Sequence, residues 1–248
     1  MMMDAAHDVE DLTRLATQHR RQIVENLSQT RKNDVAYLRD LHLDPQNGYF
    51  LNIAQLGEDT LNFSTILTRE NHQKRCEQLY FLGLSLGRLL TTTSSAPQLV
   101  VDGCQLMDEL DFYFAPSGIQ NMKLMTVATK SPLYERGDRP SKELTEPYRS
   151  VIRKRNNKPV YQRLLTPNIA FPLDYYHLVV SLCEMLTLLY GKLINDDACV
   201  VNPHVFHALL RLDDKLKKFL LDNVNKHLSS AASELIKSEF ASLRPQRE

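Results

Sequence analysis

The spacing of apolar positions along this chain predicts a succession of helices. Residues 173–194 are apolar on nearly all faces, as expected of a helix surrounded by others. Residues 203–243 follow with almost no breaker, and Leu209, Leu212, Leu216, Phe219, Leu220 and Val224 form one helical stripe. Asn202-Pro203 marks its start, because Asn caps free amides and Pro tolerates the first helical position. Asp213–Lys217, Asp214–Lys218 and Asp222–Lys226 place an acid four residues before a base on the opposite side.

The N-terminal third reads the same way. Leu12, Ala16, Ile23 and Leu27 give one stripe, and Val35, Leu38 and Leu41 give a second. Together they predict a long polar-faced helix from Asp8 to about Leu43, with too few heptads for a coiled coil. Asp44-Pro45-Gln46-Asn47-Gly48 reads as a turn, and residues 49–56 fit either a short strand or a helical turn. Residues 58–92 read as two helices, and 98–114 and 119–128 as two more.

Then the texture changes. Six of the eleven prolines, Pro132, Pro140, Pro147, Pro159, Pro167 and Pro172, fall in one stretch. Proline removes a donor and disfavours helix in the residue before it, so this stretch is an extended connector. Val160, Leu164, Leu165, Ile169 and Phe171 give it apolar residues to bury, which favours an arm wrapped on one core. The expected fold is therefore all-α: a compact multi-helix bundle of seven to nine helices with a proline-punctuated extended arm over residues 130–172. It forms one domain over residues 1–248. The alternative division is into subdomains 1–130 and 173–248 about a connector 131–172.

Composition sharpens this picture at a few points. Only eight of 248 residues are glycine, well under the usual ~7%, and turn-rich sheets and phosphate loops consume glycine. Thirty basic and thirty acidic residues cancel, so no global field steers a nucleic acid or membrane, and such a partner needs a local patch. Cys76, Cys104, Cys183 and Cys199 show no metal or redox spacing, which predicts a reducing compartment. The start lacks a basic flank and apolar run. The best membrane candidate, residues 178–190, is interrupted by Glu184 and shorter than the ~20 residues a span needs. The chain is expected to be cytoplasmic and not membrane-spanning, with nuclear entry left open.

Candidate chemistry is sparse. Gly83-Leu84-Ser85-Leu86-Gly87 matches the GxSxG pattern that presents a nucleophile between strand and helix. Its helical surroundings instead favour small residues at a close helix contact, with Ser85 as the one catalytic candidate. His204 and His207 lie three apart on one helix, but no third ligand accompanies them. Glu184 and His177 share a helix face, where an outer edge is the simpler reading than a buried pair. No metal or cofactor is expected.

The least ordinary feature is charge segregation. From Pro147 to Leu173 there are six bases, Arg149, Arg153, Lys154, Arg155, Lys158 and Arg163, and no acid. From Leu89 to Met122 there are four acids, Asp102, Asp108, Glu109 and Asp111, and no base. Either the two segments neutralise each other inside the fold or the six bases form a binding surface. The balance of signals is against catalysis. The sequence predicts an interaction or adaptor subunit that binds other proteins through helix faces and the basic arm. Alternatives are an esterase-like hydrolase using Ser85, and binding of RNA or phosphoinositide through the 149–163 run, with Tyr148 and Tyr161 available for stacking.

Overall fold

Short polar residues set where the helices begin. In the computed structural model, which describes residues 2–44, 46, 48–57, 61, 67–122, 146–156 and 158–242, Thr68 accepts from the Asn71 amide and opens α2 (Arg69–Thr92). Ser95 caps α3 (Ala96–Tyr113), with Pro97 in its first turn. Asp174 caps α4 (Tyr175–Ile194). Asn202 accepts from His204 and Val205 ahead of Pro203 and opens α6 (Pro203–Leu216), as the sequence predicts. Each such oxygen satisfies an amide that the helix itself cannot pair.

Around these lie α1 (Met2–Leu43), the single turn α5 (Ala198–Val201) and α7 (Asn223–Ser242). A turn of π-helix, Lys217–Asp222, joins α6 to α7. Residues 117–122 are also helical. The protein is 74% helical with little strand, an all-α multi-helix fold. The core runs through a chain of packed neighbours: α1 lies along α4, α4 on α2, α2 on α3, and α3 on α6, with α5 touching α1, α3 and α6.

Two antiparallel hairpins interrupt the helices. Residues 49–55 settle as β1 (Tyr49–Phe50) and β2 (Ala54–Gln55). The arm holds β3 (Arg153–Arg155) and β4 (Lys158–Val160). Asn156 takes φ 52° at the second turn, a left-handed conformation that Asn tolerates.

Four expectations need correction. First, α4 is not enclosed on all faces. Tyr175, Val179, Leu182, Leu186, Leu189 and Leu193 are buried, while His177, Ser181, Glu184, Leu188 and Lys192 form an outer stripe. This helix is 20 residues long, and by length and composition alone it is sufficient to cross a membrane; the 178–190 run understated it. Second, Leu12 and Ala16 are exposed and Ile23 and Leu27 are half-buried, so burial on α1 begins at Val24, outside the first apolar stripe. Third, Asp213 is not on the solvent side. It is buried, accepts from Tyr190 Oη at 2.8 Å, and pairs with Arg31 at 2.9 Å. Fourth, Lys217 pairs with Asp222 across the π turn. Outside the described residues lie Pro45, Asn47, most of 58–66, and 123–145 with Pro132 and Pro140. The expected helix at 119–128 is thus described only to 122, and the arm only from 146.

Candidate functional site

Helix α3 carries the acidic segment, and its periodicity divides those acids between two neighbours. Asp102, Gln105 and Glu109 recur at i, i+3 and i+7 and so share one stripe, while Asp108 and Asp111 lie on another. The second stripe meets α6. Asp108 is 2.6 Å from Arg211 and 2.7 Å from Lys215, and Lys215 also reaches Asp111. Burial raises the Asp108 carboxyl, but hydrogen bonds from Lys215 and Ser150 and the charges of Lys215 and Arg211 outweigh it and leave its pKa lowered. Burial likewise pushes Lys215 down, and its bonds to Asp108 and Asp111 more than restore it.

The first stripe holds the arm. Glu109 is fully buried, and its oxygens accept from the backbone amides of Gln162, Arg163 and Leu164, each at 2.8 Å. Gln105 Nε2 adds a fourth donor at 2.8 Å. A carboxylate out of water is costly unless its lone pairs are filled, and these are filled by consecutive amides where the arm bends at Gln162 and Arg163. Gln105 then grips the arm further back. Its Oε1 accepts from Tyr148 Oη at 2.9 Å and from Val151 N at 3.1 Å, and its Nε2 donates to Val151 O at 2.9 Å. Arg88 donates to the carbonyls of Gln162 and Arg163. Arg163 Nε lies 2.9 Å from Asp102, an ion pair whose N–H is not aligned for a hydrogen bond.

Ser85 belongs to this clasp. It sits mid-helix in α2, fully buried, and its Oγ accepts from Leu165 N at 2.8 Å. Flanking Gly83 and Gly87 face Met185 of α4, where an added Cβ would lie 3.2 Å from its methyl and 3.5 Å from its sulfur. The GxSxG motif is thus a helix–helix contact with a serine turned toward the arm, not a strand-to-helix elbow.

Of the six bases singled out from sequence, Arg163 is taken into the clasp. Arg149, Arg153, Lys154, Arg155 and Lys158 are exposed. The hairpin register pairs Arg153 with Val160 and Arg155 with Lys158. Directly opposite residues share a face, so Arg153, Arg155 and Lys158 stand together there. Arg155 opposite Lys158 is a like-charge pair, which is destabilising in isolation. The flanking tyrosines turn inward: Tyr148 bonds Gln105, and Tyr161 packs edge-on against Tyr113 at 5.7 Å and near Phe112 at 6.4 Å.

Comparison with known proteins gives no match. No family model fits the chain, and no curated protein or solved structure is significantly similar to it.

The remaining candidates are dispersed. His207 is exposed and meets the Phe206 ring edge-on, and no group of three His, Cys, Asp or Glu able to hold a metal occurs among the described residues. Glu184 and His177 are exposed. Burial raises all four thiols, Cys76 to about 11 and Cys104, Cys183 and Cys199 to about 12, which keeps them in the unreactive protonated form. Reading the sequence for chemistry missed the clasp residue Gln105, and it singled out Ser85 as a candidate nucleophile rather than as an acceptor for the arm. The available signal for Glu109 was its spacing: it falls three residues after Leu106 and three before Phe112, on the apolar side of the helix.

Proposed function

We propose that this chain is a non-catalytic interaction module that engages partner proteins through its basic hairpin and exposed helix faces. One observation carries the reading. Arg153, Arg155 and Lys158 share one face of a hairpin, with two like charges in direct opposition, while the acids of α3 are spent on α6 and on the arm backbone. Like charges held together outside the fold are relieved by an external anion. Guanidinium groups bind carboxylates through paired N–H donors, so acidic protein segments are the fitting partner. The inward placement of Tyr148 and Tyr161 removes the stacking platform that an RNA reading needs.

The test is charge reversal. Arg153→Glu with Arg155→Glu should abolish quantitative recovery of specific partners from a native extract, with the melting temperature unchanged or raised. Equal recovery by wild type and variant would defeat the proposal. If the purified wild type binds single-stranded RNA or phosphoinositide vesicles more tightly than those partners, the anionic-polymer reading takes precedence. Fluorophosphonate labelling lost in Ser85→Ala would favour the hydrolase reading over both.

A further inference from the structure

We propose that the cavity beside the π turn binds a carboxylate carried on a compact aromatic or branched apolar group, with the Arg75 guanidinium as its anchor. Arg75, on α2, is only 8% exposed. A buried charge normally has a counter-charge, yet among the described residues no carboxylate pairs with it. Its Nη1 donates to Gln78 Oε1 at 3.3 Å, its Nη2 donates to the carbonyl of Phe219, and its Nε is left without an acceptor. The guanidinium lies 4.5 Å over the Phe219 ring. Burial pushes its pKa below the ordinary value, the direction expected of a cation lacking its anion.

The surroundings suit one class of ligand. Arg75 lines a cavity of about 260 Å³, just below the ~300 Å³ at which drug-sized ligand sites begin and so suited to a smaller molecule. Leu110, Phe114 and Phe219 give it apolar walls, and Gln78 and Asn223 supply amides. Asp111 also lines it, but Lys215 already holds that carboxylate. A single guanidinium near one acid favours a monoanion over a phosphate dianion, and its planar edge matches a carboxylate. The π winding shifts backbone bonding out of the ordinary helical register, a change found often at functional sites. Arg75 capping the Phe219 carbonyl accounts for one donor of the guanidinium, and Nε remains over.

Calorimetric titration of the full chain with phenylacetate tests this, with the neutral phenylacetamide as control. One-to-one binding of the acid and none of the amide is expected. Arg75→Met should weaken binding at least about tenfold, the loss that accompanies a charge-assisted hydrogen bond. Ala115→Phe, which fills the cavity from its wall and leaves Arg75 in the sequence, should do the same and decides the matter if Arg75→Met does not fold. Asp111→Asn should tighten binding by removing a like charge. A capped tripeptide ending in Phe with a free carboxylate is the second probe. Tighter binding than phenylacetate assigns the site to a polypeptide end, and weaker binding assigns it to a free acid. No saturable binding of either acid, equal binding of phenylacetamide, or full binding by Ala115→Phe would each overturn the proposal.

Discussion

His42 shows how one side chain can tie stability to pH. It is fully buried at the end of α1, with Nδ1 2.7 Å from the Leu38 carbonyl and Nε2 without a partner. The short Nδ1 contact places the proton on that nitrogen, so a second proton would enter a buried position with no acceptor. Burial accordingly lowers its pKa, against a smaller opposing effect of the Leu38 bond. The unfolded chain, titrating near ~6.5, binds more protons over the interval below that value. Stability should therefore fall as the pH drops through about 6.5 and level off once the folded value is passed. Half-buried His227 is lowered too, by burial first and then by Arg75 and Lys226, and acts in the same direction. Urea midpoints at about pH 7.5 and 5.5 should show this loss in wild type and a smaller one in His42→Gln; an equal loss in both would remove His42 from the account. Asp213 sets a second residue-scale test. It joins α1, α4 and α6 through Arg31 and Tyr190. Arg31 would keep Asp34 at 2.9 Å, so Asp213→Ala should cost about 1.5–3 kcal/mol, the range of a charge-assisted hydrogen bond. A loss under about 1 kcal/mol, the range of a surface pair, would place it there instead.

At the scale of elements, the arm depends on α3 far more than on its own secondary structure, which is one short hairpin. Glu109→Ala would leave three consecutive amides without an acceptor, each worth about 1–3 kcal/mol when stranded. This segment of the arm should then detach rather than stay buried unpaired. Amide exchange at Gln162, Arg163 and Leu164 should accelerate strongly while the amides of α4 keep their protection; unchanged exchange at all three would mean that the arm is held by other contacts. How much of this could be read from sequence depends on which rule governs each element. The stripe on α6 and its Asn202-Pro203 start were readable because they are local and repeat with the helix period. Asp213 was not, since an acid four residues before a lysine looks the same whether it faces water or a buried arginine. The clasp was also hidden, because Glu109 meets residues more than fifty positions away. The basic hairpin left one unread cue in Asn156-Asn157, a pair suited to the tight turn that reverses it.

For the whole molecule, the longest helix obeys two sets of rules. From Val24 to Leu41, α1 is part of the core. Residues 10–19 of the same helix are almost wholly exposed, Leu12 at 66% and Leu15 at 57%. Its last anchors before the core are Arg20, bonded to the Val200 carbonyl, and Arg21, paired with Asp197. Residues 2–19 thus extend about 27 Å, and none of residues 10–19 is buried. A free helix of that length is marginal in water because its first turn is costly to form, but here the packed half has already met that cost. What remains is the arithmetic of an isolated peptide. The sequence puts four acids, Asp4, Asp8, Glu10 and Asp11, in this segment's N-terminal half, the sign that a helix favours toward that end, and Asp11 reaches Arg14 at 3.1 Å. Replacing those four acids by their amides should unwind residues 2–19, read as lost helical ellipticity and faster amide exchange there, while the cooperative melting of the bundle stays where it was. An unchanged spectrum would mean that something other than charge keeps the spur wound. The bundle is in this sense a seed crystal for its own first twenty residues: it supplies the ordered face on which a polar segment, unable to fold by itself, keeps growing outward.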